Sequence, residues 1–193
     1  MAEPIFYYDF NSPYAYLAAH RIDRVLGGDV RWQPIAFAFL LRATGRTPWS
    51  FTDARPAGMR ECSERAVRYG LPEMVWPPGW PVESYTLASL RAALVAREHG
   101  RLREFSRVAF AENFVHGRGV REPDALEHAA ELAGLDPAAI RDGIERPEIK
   151  DGLREATEAA IAAGVIGVPA VLIDGEVFWG DDRLEAAAAR MAA

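Results

Sequence analysis

The first group in the chain that could support chemistry is a serine hydroxyl where a strand gives way to a helix. Residues 5–10 are short, aromatic and nearly all apolar, which is typical of a strand buried on both faces. Ser12 then has the side chain of a helix N-cap, and Pro13 has the fixed φ of a first helical residue. A hydroxyl in this place lies beside the positive end of the helix dipole, where a thiolate would be stabilised. The alternative is that Ser12 and Pro13 only cap the helix.

The second candidate is Val168-Pro169, which opens an apolar run near the end of the chain. A cis bond here would turn the Val168 N–H and C=O outward, where they could pair with an extended peptide as an added strand. Such a site would hold the backbone of a cysteine-containing peptide with its sulfur directed at Ser12. The alternative is an ordinary proline at a strand edge.

The third candidate is a turn with a glycine, two acids and a base: Gly180, Asp181, Asp182 and Arg183. Acidic residues at a helix N-terminus are ordinary caps. The same side chains could bind an amino-acid zwitterion, the carboxylates taking the ammonium group and Arg183 taking the carboxylate. The γ-glutamyl end of glutathione is such a zwitterion. The three candidates together therefore predict a site for glutathione or another low-molecular-weight thiol.

The strands that would position these residues lie at the two ends of the chain. Residues 5–10, a helical pattern running to Leu26 and residues 30–35 predict a βαβ unit with a parallel pair. Near the C-terminus, residues 168–173 and 176–179 flank Asp174-Gly175, a pair typical of a two-residue hairpin. A final alanine-rich helix follows.

The middle of the chain has a helical pattern. Residues 37–81 are interrupted by prolines and glycines, so we expect an irregular arm with one helix over residues 59–69, and consecutive helices follow over residues 87–163. This order predicts an α/β protein, a thioredoxin fold with an all-helical domain inserted between its βαβ and αββα halves. The predicted thioredoxin-like domain covers residues 1–36 and 164–193, and the helical insertion covers residues 37–163.

Composition narrows the class of partner. The net charge is −6, with 22 basic and 28 acidic residues, which argues against a nucleic-acid partner. No stretch approaches the roughly 20 apolar residues of a membrane span. Cys62 is the single cysteine and no secretory leader is recognised, so we expect a cytoplasmic protein that acts on a small molecule. Four scattered histidines have no metal-ligand spacing, so no metal site is expected: His20, His99, His116 and His128.

Three segments together resemble the 2-hydroxychromene-2-carboxylate isomerase family. They are residues 7–18, 167–170 and 177–184, which lie in the order found in that family. The family is kin to the kappa-class glutathione transferases and to DsbA-type oxidoreductases. The resemblance covers essentially the whole chain.

The resemblance implies a glutathione-dependent isomerase of bacterial naphthalene breakdown, which interconverts 2-hydroxychromene-2-carboxylate and trans-o-hydroxybenzylidenepyruvate. Ser12 would stabilise the glutathione thiolate, Val168 beside a cis Pro169 would pair with the cysteinyl backbone, and residues 180–183 would hold the γ-glutamyl part. The thiolate would add reversibly to an aromatic enone and would not be consumed. Candidate substrate-binding residues are Asn11, Arg42 and Tyr85.

One helix departs from the family pattern. Where relatives usually carry a lysine, an aspartate and an arginine, this chain has Met59, Glu61 and Glu64. Another positively charged side chain would then be needed to bind a substrate carboxylate or the glycyl carboxylate of glutathione. Arg42, Arg46 and Arg60 are the nearby candidates, and for each the alternative is an exposed surface arginine.

Other functions remain open at this point. Dithiol chemistry is excluded at the helix start, because residues 12–15 are Ser-Pro-Tyr-Ala rather than Cys-x-x-Cys. A kappa-like transferase or peroxidase would use the same thiol site, and a non-catalytic thiol- or peptide-binding module would keep the same fold. The sequence does not decide the oligomeric state, and a homodimer is one alternative because relatives are often dimers.

Overall fold

Four strands form one mixed sheet at the centre of the protein. The computed structural model describes residues 3–27 and 30–192. Strands β1 (Ile5–Tyr8), β2 (Arg31–Pro34), β3 (Ala170–Ile173) and β4 (Glu176–Trp179) are arranged in the order β2-β1-β3-β4. β1 is parallel to β2 and antiparallel to β3, and β3 is antiparallel to β4. The sheet has the strand directions of a thioredoxin fold.

The central strand β1 is covered on both faces, as its apolar composition predicts. Phe6 and Tyr8 pack into the larger of two clusters of buried side chains, and Tyr7 packs into the smaller cluster on the opposite face. The carboxyl end of β1 leads through Asp9 and Phe10 to Ser12. The position of Ser12 is therefore tied to a strand that has a neighbour on each side.

The hairpin between β3 and β4 brings two parts of the predicted site together. Asp174 has φ 46° and Gly175 has φ 86°, the positive pair of values that a two-residue type I′ turn requires. The resulting register places Trp179 opposite Ala170. The backbone N–H of Gly180 also donates to the carbonyl oxygen of Pro169 at 3.0 Å. The 180–183 turn consequently lies beside Val168-Pro169.

The first helical segment is divided, where the sequence pattern predicts one continuous helix. Helix α1 covers Pro13–Ala19 and helix α2 covers Ile22–Leu26. Ser12 caps α1, since its Oγ accepts from the Ala15 N–H at 3.2 Å. The break falls at Arg21, whose guanidinium is buried and donates to the carbonyl oxygen of Asp181 at 2.8 Å. At the point where the helical segment is interrupted, the chain therefore contacts a residue near its far end.

The segment from Phe37 to Gly45 is a helix, so the prediction of an irregular arm is wrong there. Helix α3 covers Phe37–Thr44 and ends at Gly45, whose φ is 65°. A 3-10 turn follows at Trp49–Phe51, and α4 covers Arg55–Arg68, starting four residues before the predicted helix. Gly45 and Pro48 follow α3, and Pro56 and Gly58 lie near the start of α4, so none of them interrupts α3. The later prolines and glycines, from Pro72 to Pro81, lie between α4 and α5, where no helix or strand forms.

The remaining helices lie in the two segments, residues 87–163 and the C-terminal end, where the sequence predicts helices. They are α5 (Leu87–Glu98), α6 (Leu102–Phe114), α7 (Pro123–Leu132), α8 (Pro137–Gly143), α9 (Pro147–Ala162) and α10 (Leu184–Met191). Three of them, α7, α8 and α9, start with the proline that favours a first helical turn. Within residues 3–27 and 30–192, no helix has both the length and the apolar character needed to cross a bilayer.

The main core runs through both parts of the predicted domain division. Phe110 of α6 lies 5.0 Å from Phe10 and 5.7 Å from Tyr8, measured between ring centroids. The Tyr8 hydroxyl shares a 2.6 Å hydrogen bond with Ser106, also on α6. The helical segment therefore packs directly on the strand that leads to Ser12. The boundaries at residues 36/37 and 163/164 stay a prediction.

Replacing Phe110 with alanine should lower the free energy of unfolding by about 3–5 kcal/mol, because the ring is fully buried and its removal leaves a cavity among aromatic neighbours. Equilibrium urea denaturation measures the change. Phe39→Ala is the matched control, since that ring is 50% exposed and should cost less than about 1 kcal/mol. Equal losses for the two variants would contradict this account of the core.

Candidate active site

A cavity of about 490 Å³ lies at the carboxyl end of β1. Its wall includes the start of α1, one face of α3, the segments 46–51 and 80–87, and the residues around Val168-Pro169 and Gly180. Eight of the predicted site residues line it: Asn11, Ser12, Tyr85, Val168, Pro169, Gly180, Asp181 and Asp182. Arg42 and Arg183 do not. The fold therefore brings residues from both ends of the chain to one site.

Ser12 contacts the loop before β3 at the cavity wall. Its hydroxyl donates to the carbonyl oxygen of Val168 at 3.2 Å and accepts from the Ala15 N–H at 3.2 Å. The side chain is 5% exposed. The hydroxyl has one proton, so its only donor capacity is directed at Val168.

The peptide bond between Val168 and Pro169 is cis. The adjacent Gly167 packs against Trp179, since a Cβ built on this glycine would lie 2.4 Å from the indole Nε1. Only glycine fits at that approach. The Trp179 ring is thereby held beside the loop that faces Ser12.

Asp9 lies at the cavity wall and is hydrogen-bonded to three of its segments. Its carboxylate accepts three hydrogen bonds, from the backbone N–H groups of Asn11 and Phe37 at 2.9 Å each and from the Thr86 hydroxyl at 2.8 Å. Burial raises the pKa of the Asp9 carboxyl, and the three donors oppose that change. Asp9 therefore joins three wall segments, as expected for a buried, hydrogen-bonded acid.

Asp181 does not present a free carboxylate to the cavity, which corrects its predicted role. Its side chain is 1% exposed, with Oδ1 accepting from Arg65 at 2.7 Å and Oδ2 accepting from the Tyr69 hydroxyl at 3.0 Å. Arg21 lies 4.0 Å away and stacks on the Tyr69 ring at 3.8 Å. Burial raises the pKa of the Asp181 carboxyl against the opposing effects of Arg65 and Tyr69. The Asp181 carboxylate therefore joins the turn after β4 to the end of α4.

Asp182 is the carboxylate of this turn that remains accessible. Its side chain is 59% exposed and lies 3.7 Å from Arg65 Nη1. Gly180 has φ 121°, and a Cβ at that position would lie 2.5 Å from Asp182 Oδ1. The glycine therefore leaves room for the carboxylate to lie over the turn.

Arg65 is a cavity residue that sequence reasoning missed. It bridges Glu61, Asp181 and Asp182 from helix α4. Burial acts to lower the pKa of its guanidinium, but the nearby carboxylates outweigh that effect and raise the pKa. It follows Glu64 directly in the chain, and its spacing of four residues from Glu61 is the signal that could have found it.

Two predicted site residues lie outside the cavity wall. Phe37, Ala38 and Leu41 form the face of α3 that lines the cavity, while Arg42 on the same helix is exposed. Arg183 ends the 3-10 turn and is also exposed. The assignments of Arg42 to the substrate and of Arg183 to a carboxylate are therefore not supported by the geometry.

Asn11 and Tyr85 line the cavity. Asn11 Nδ2 donates to the Pro81 carbonyl at 3.4 Å, and its buried Oδ1 has no hydrogen-bond partner among the described residues. Tyr85 is 60% exposed and lies on the cavity wall. Trp49 and Trp80 add aromatic surface, their ring centroids 5.6 Å apart.

Cys62 is not a candidate nucleophile. It is fully buried on α4, and burial raises the pKa of its thiol to about 12. Within the described part of the chain, no three His, Cys, Asp or Glu residues are grouped so that they could hold a metal ion. The residues at hand suit a site that stabilises a bound anion or polarises a bound group.

The sequence of this chain matches the DSBA-like thioredoxin domain over residues 5–192. The chain belongs to that family. It is 30% identical over 188 residues to a 2-hydroxychromene-2-carboxylate isomerase of Pseudomonas sp. strain C18, which covers 93% of this chain and 85% of the relative. A 2-hydroxychromene-2-carboxylate isomerase of Sphingobium xenophagum is 28% identical over 186 residues, covering 93% of both chains. These matches confirm the family resemblance read from the three sequence segments.

A solved structure of a 2-hydroxychromene-2-carboxylate isomerase has the same fold. It superimposes with a TM-score of 0.85 at 23% identity, covering 98% of this chain and 94% of that chain. The predicted thioredoxin-like α/β fold is therefore confirmed.

Replacing Asp181 with alanine should lower the free energy of unfolding by about 3–5 kcal/mol, because the guanidinium of Arg65 and the Tyr69 hydroxyl would lose their buried partner. The matched control is Asp182→Ala, which removes an exposed carboxylate one residue away and should change stability by less than about 0.5 kcal/mol. Urea denaturation of both variants makes the comparison. Similar losses would mean that Asp181 is no more structural than its neighbour.

Proposed function

We propose that this protein is a glutathione-dependent isomerase of the 2-hydroxychromene-2-carboxylate type. The observation that carries the proposal is the Ser12 hydroxyl, 3.2 Å from the Val168 carbonyl oxygen at the wall of a largely apolar cavity. The family relationship supports the reaction class, and a small aromatic substrate suits the tryptophan and phenylalanine side chains of the wall.

The residues present fit a thiol tripeptide. The cavity volume of about 490 Å³ lies within the range of about 300–1,000 Å³ typical of small-molecule sites. Asp182 offers an accessible carboxylate for a γ-glutamyl ammonium group. Val168 offers backbone groups at the cis bond for an extended peptide. Ser12 offers a hydroxyl for a sulfur.

The chemistry that a bound thiol would supply is reversible conjugate addition to the ring-opened substrate, in which the ring carbon–oxygen bond of the hemiketal has broken to give a phenol and a 2-oxo enone. A carbon–sulfur bond would form at the β carbon as the π electron pair moves toward the carbonyl group, the former double bond would rotate as a single bond, and elimination would break the carbon–sulfur bond and restore both the double bond and the thiolate. Ser12 contributes by donating its single proton to the sulfur, which favours the ionised form. To do so its hydroxyl must leave the Val168 carbonyl. That carbonyl is then free to accept from a peptide N–H of the ligand, so the two changes support one another.

The remaining wall residues orient the substrate and exclude water. Trp49, Trp80 and Phe37 provide apolar surface for an aromatic ring. The unpartnered Oδ1 of Asn11 would accept a hydrogen bond from a substrate hydroxyl. These roles require no change in the fold.

Purified protein should interconvert 2-hydroxychromene-2-carboxylate and trans-o-hydroxybenzylidenepyruvate only when glutathione is added, with the glutathione concentration unchanged at equilibrium. Ultraviolet spectra of the two compounds follow the reaction. Conjugation of glutathione to a halogenated arene, without isomerisation, would instead assign a transferase. Thiol binding with no turnover of either substrate would assign a binding module.

Ser12→Ala should raise the pKa of bound glutathione's thiol by about one to two units, because one hydrogen bond to a charged sulfur, worth roughly 1.5–3 kcal/mol, is lost. Turnover should therefore fall at neutral pH and recover as pH rises above the thiol pKa. Thiolate absorbance of the complex against pH is the measurement.

The substitution also removes the cap of α1, which costs about 1 kcal/mol of stability. Asp136→Ala is the matched control, since the Asp136 carboxylate caps α8 through the Ala138 N–H at 2.9 Å and lies outside the cavity wall. Its titration curve should superimpose on that of the parent. A Ser12→Ala curve that also superimposes would reduce Ser12 to a cap.

Asp182→Ala should weaken glutathione binding about tenfold or more while leaving the urea midpoint nearly unchanged, because the exposed carboxylate has little structural role. Calorimetric titration measures the affinity. N-acetylated glutathione, which lacks the ammonium group, should bind parent and variant equally. A parent that does not distinguish the two thiols would remove Asp182 from the site.

A further inference from the structure

The cavity wall of the described residues contains two arginines, and they differ in how their charge is balanced. Arg65 pairs with Glu61, Asp181 and Asp182. Arg46 forms no ion pair with any carboxylate of residues 3–27 and 30–192. Its guanidinium lies instead over the Trp179 ring, 4.6 Å from the centroid. Arg46 is thus the cavity cation, within the described chain, whose charge is not compensated.

The local structure aims Arg46 at the cavity. Gly45 ends helix α3 in the left-handed region at φ 65°, and the Arg46 N–H donates back to the Leu41 carbonyl at 3.3 Å. The chain therefore reverses direction immediately before Arg46. On the other side, the close approach of Gly167 fixes the Trp179 ring against which the guanidinium rests.

An arginine held on an exposed aromatic face is well prepared to bind an anion. Trp179 is 43% exposed, and a cation–π contact at such a site is weaker than a charge-assisted hydrogen bond to a carboxylate. The planar guanidinium can also bond both oxygens of one carboxylate while one of its faces stays on the ring. A carboxylate that replaces solvent at the edge of the guanidinium would therefore leave the contact between Arg46 and the Trp179 ring in place.

We propose that Arg46 is the carboxylate-binding residue of this cavity and sets its preference for acidic ligands. The proposal rests on the proposed function for the identity of the ligand, because both a 2-oxo acid substrate and the glycyl end of glutathione carry such a group. Arg65 is compensated by three acids, and Arg42 and Arg183 lie outside the wall.

The first test needs no thiol. Binding of trans-cinnamate and of its neutral methyl ester is measured by calorimetry for the parent, Arg46→Gln, Arg46→Lys and Arg42→Gln. Arg46→Gln should weaken cinnamate binding about tenfold or more and leave ester binding unchanged, the loss expected for one charge-assisted hydrogen bond. Arg46→Lys should recover part of the preference. Arg42→Gln, which removes an exposed arginine four residues away, should match the parent.

The second test identifies the source of the carboxylate. Glutathione is compared with γ-glutamylcysteine, which lacks the glycyl residue. A tenfold loss of glutathione affinity in Arg46→Gln with no loss for γ-glutamylcysteine would assign the glycyl carboxylate. If the parent and Arg46→Gln bind each thiol equally well but differ in the ratio of cinnamate affinity to ester affinity, Arg46 is assigned to the substrate carboxylate.

The proposal is overturned if Arg46→Gln alters neither the cinnamate-to-ester ratio nor the ratio of the two thiols, or if the parent itself shows no preference in either pair. If the parent binds no thiol, glutathione dependence is refuted. If the parent nevertheless prefers cinnamate to its ester and Arg46→Gln abolishes that preference, the role of Arg46 is supported. The two proposals therefore fail separately.

Discussion

The buried carboxylate of Asp181 is the contact on which the geometry of the site depends. It joins three segments that are distant in the chain: Arg65 and Tyr69 reach it from the end of α4, Arg21 approaches from the break between α1 and α2, and its own backbone forms the turn after β4. A buried carboxylate without these partners would be strongly unfavourable. The burial therefore requires the three segments to meet, and their meeting fixes the turn that carries Asp182.

Adjacent aspartates consequently have opposite tasks. The Asp181 carboxylate is buried and bonded within the protein, which holds the turn in place. The Asp182 carboxylate stays exposed to solvent. Composition alone treats the two as a pair of carboxylates that share one role. Only the direction of each side chain relative to Arg21 and Arg65 separates them. The same division between a supporting and an accessible group recurs at Asp9, which joins three wall segments below Asn11 and Ser12.

Local patterns were sufficient to predict the strands, the N-cap at Ser12, the hairpin at Asp174-Gly175 and most of the helices, because each depends on neighbouring residues. They failed where a distant contact decides the outcome. Arg21 contacts Asp181 at the break between α1 and α2. Helix α3 was missed for a different, local reason, because Gly45 and Pro48 follow the helix and resemble interruptions of it. Arg65 was missed because two of its three ion pairs are with carboxylates of the distant turn after β4.

The replacement of a helix-start cysteine by Ser12 changes what this fold can do. A cysteine at this point would itself form a covalent bond to sulfur, whereas a hydroxyl can only donate to one. The Val168 carbonyl accepts that donation at 3.2 Å, so the hydroxyl has a partner before any sulfur arrives. A ligand must offer both an acceptor for the Ser12 proton and a donor for the released carbonyl. Under the proposed function, a peptide thiolate would satisfy both demands, while a simple anion would satisfy only the first.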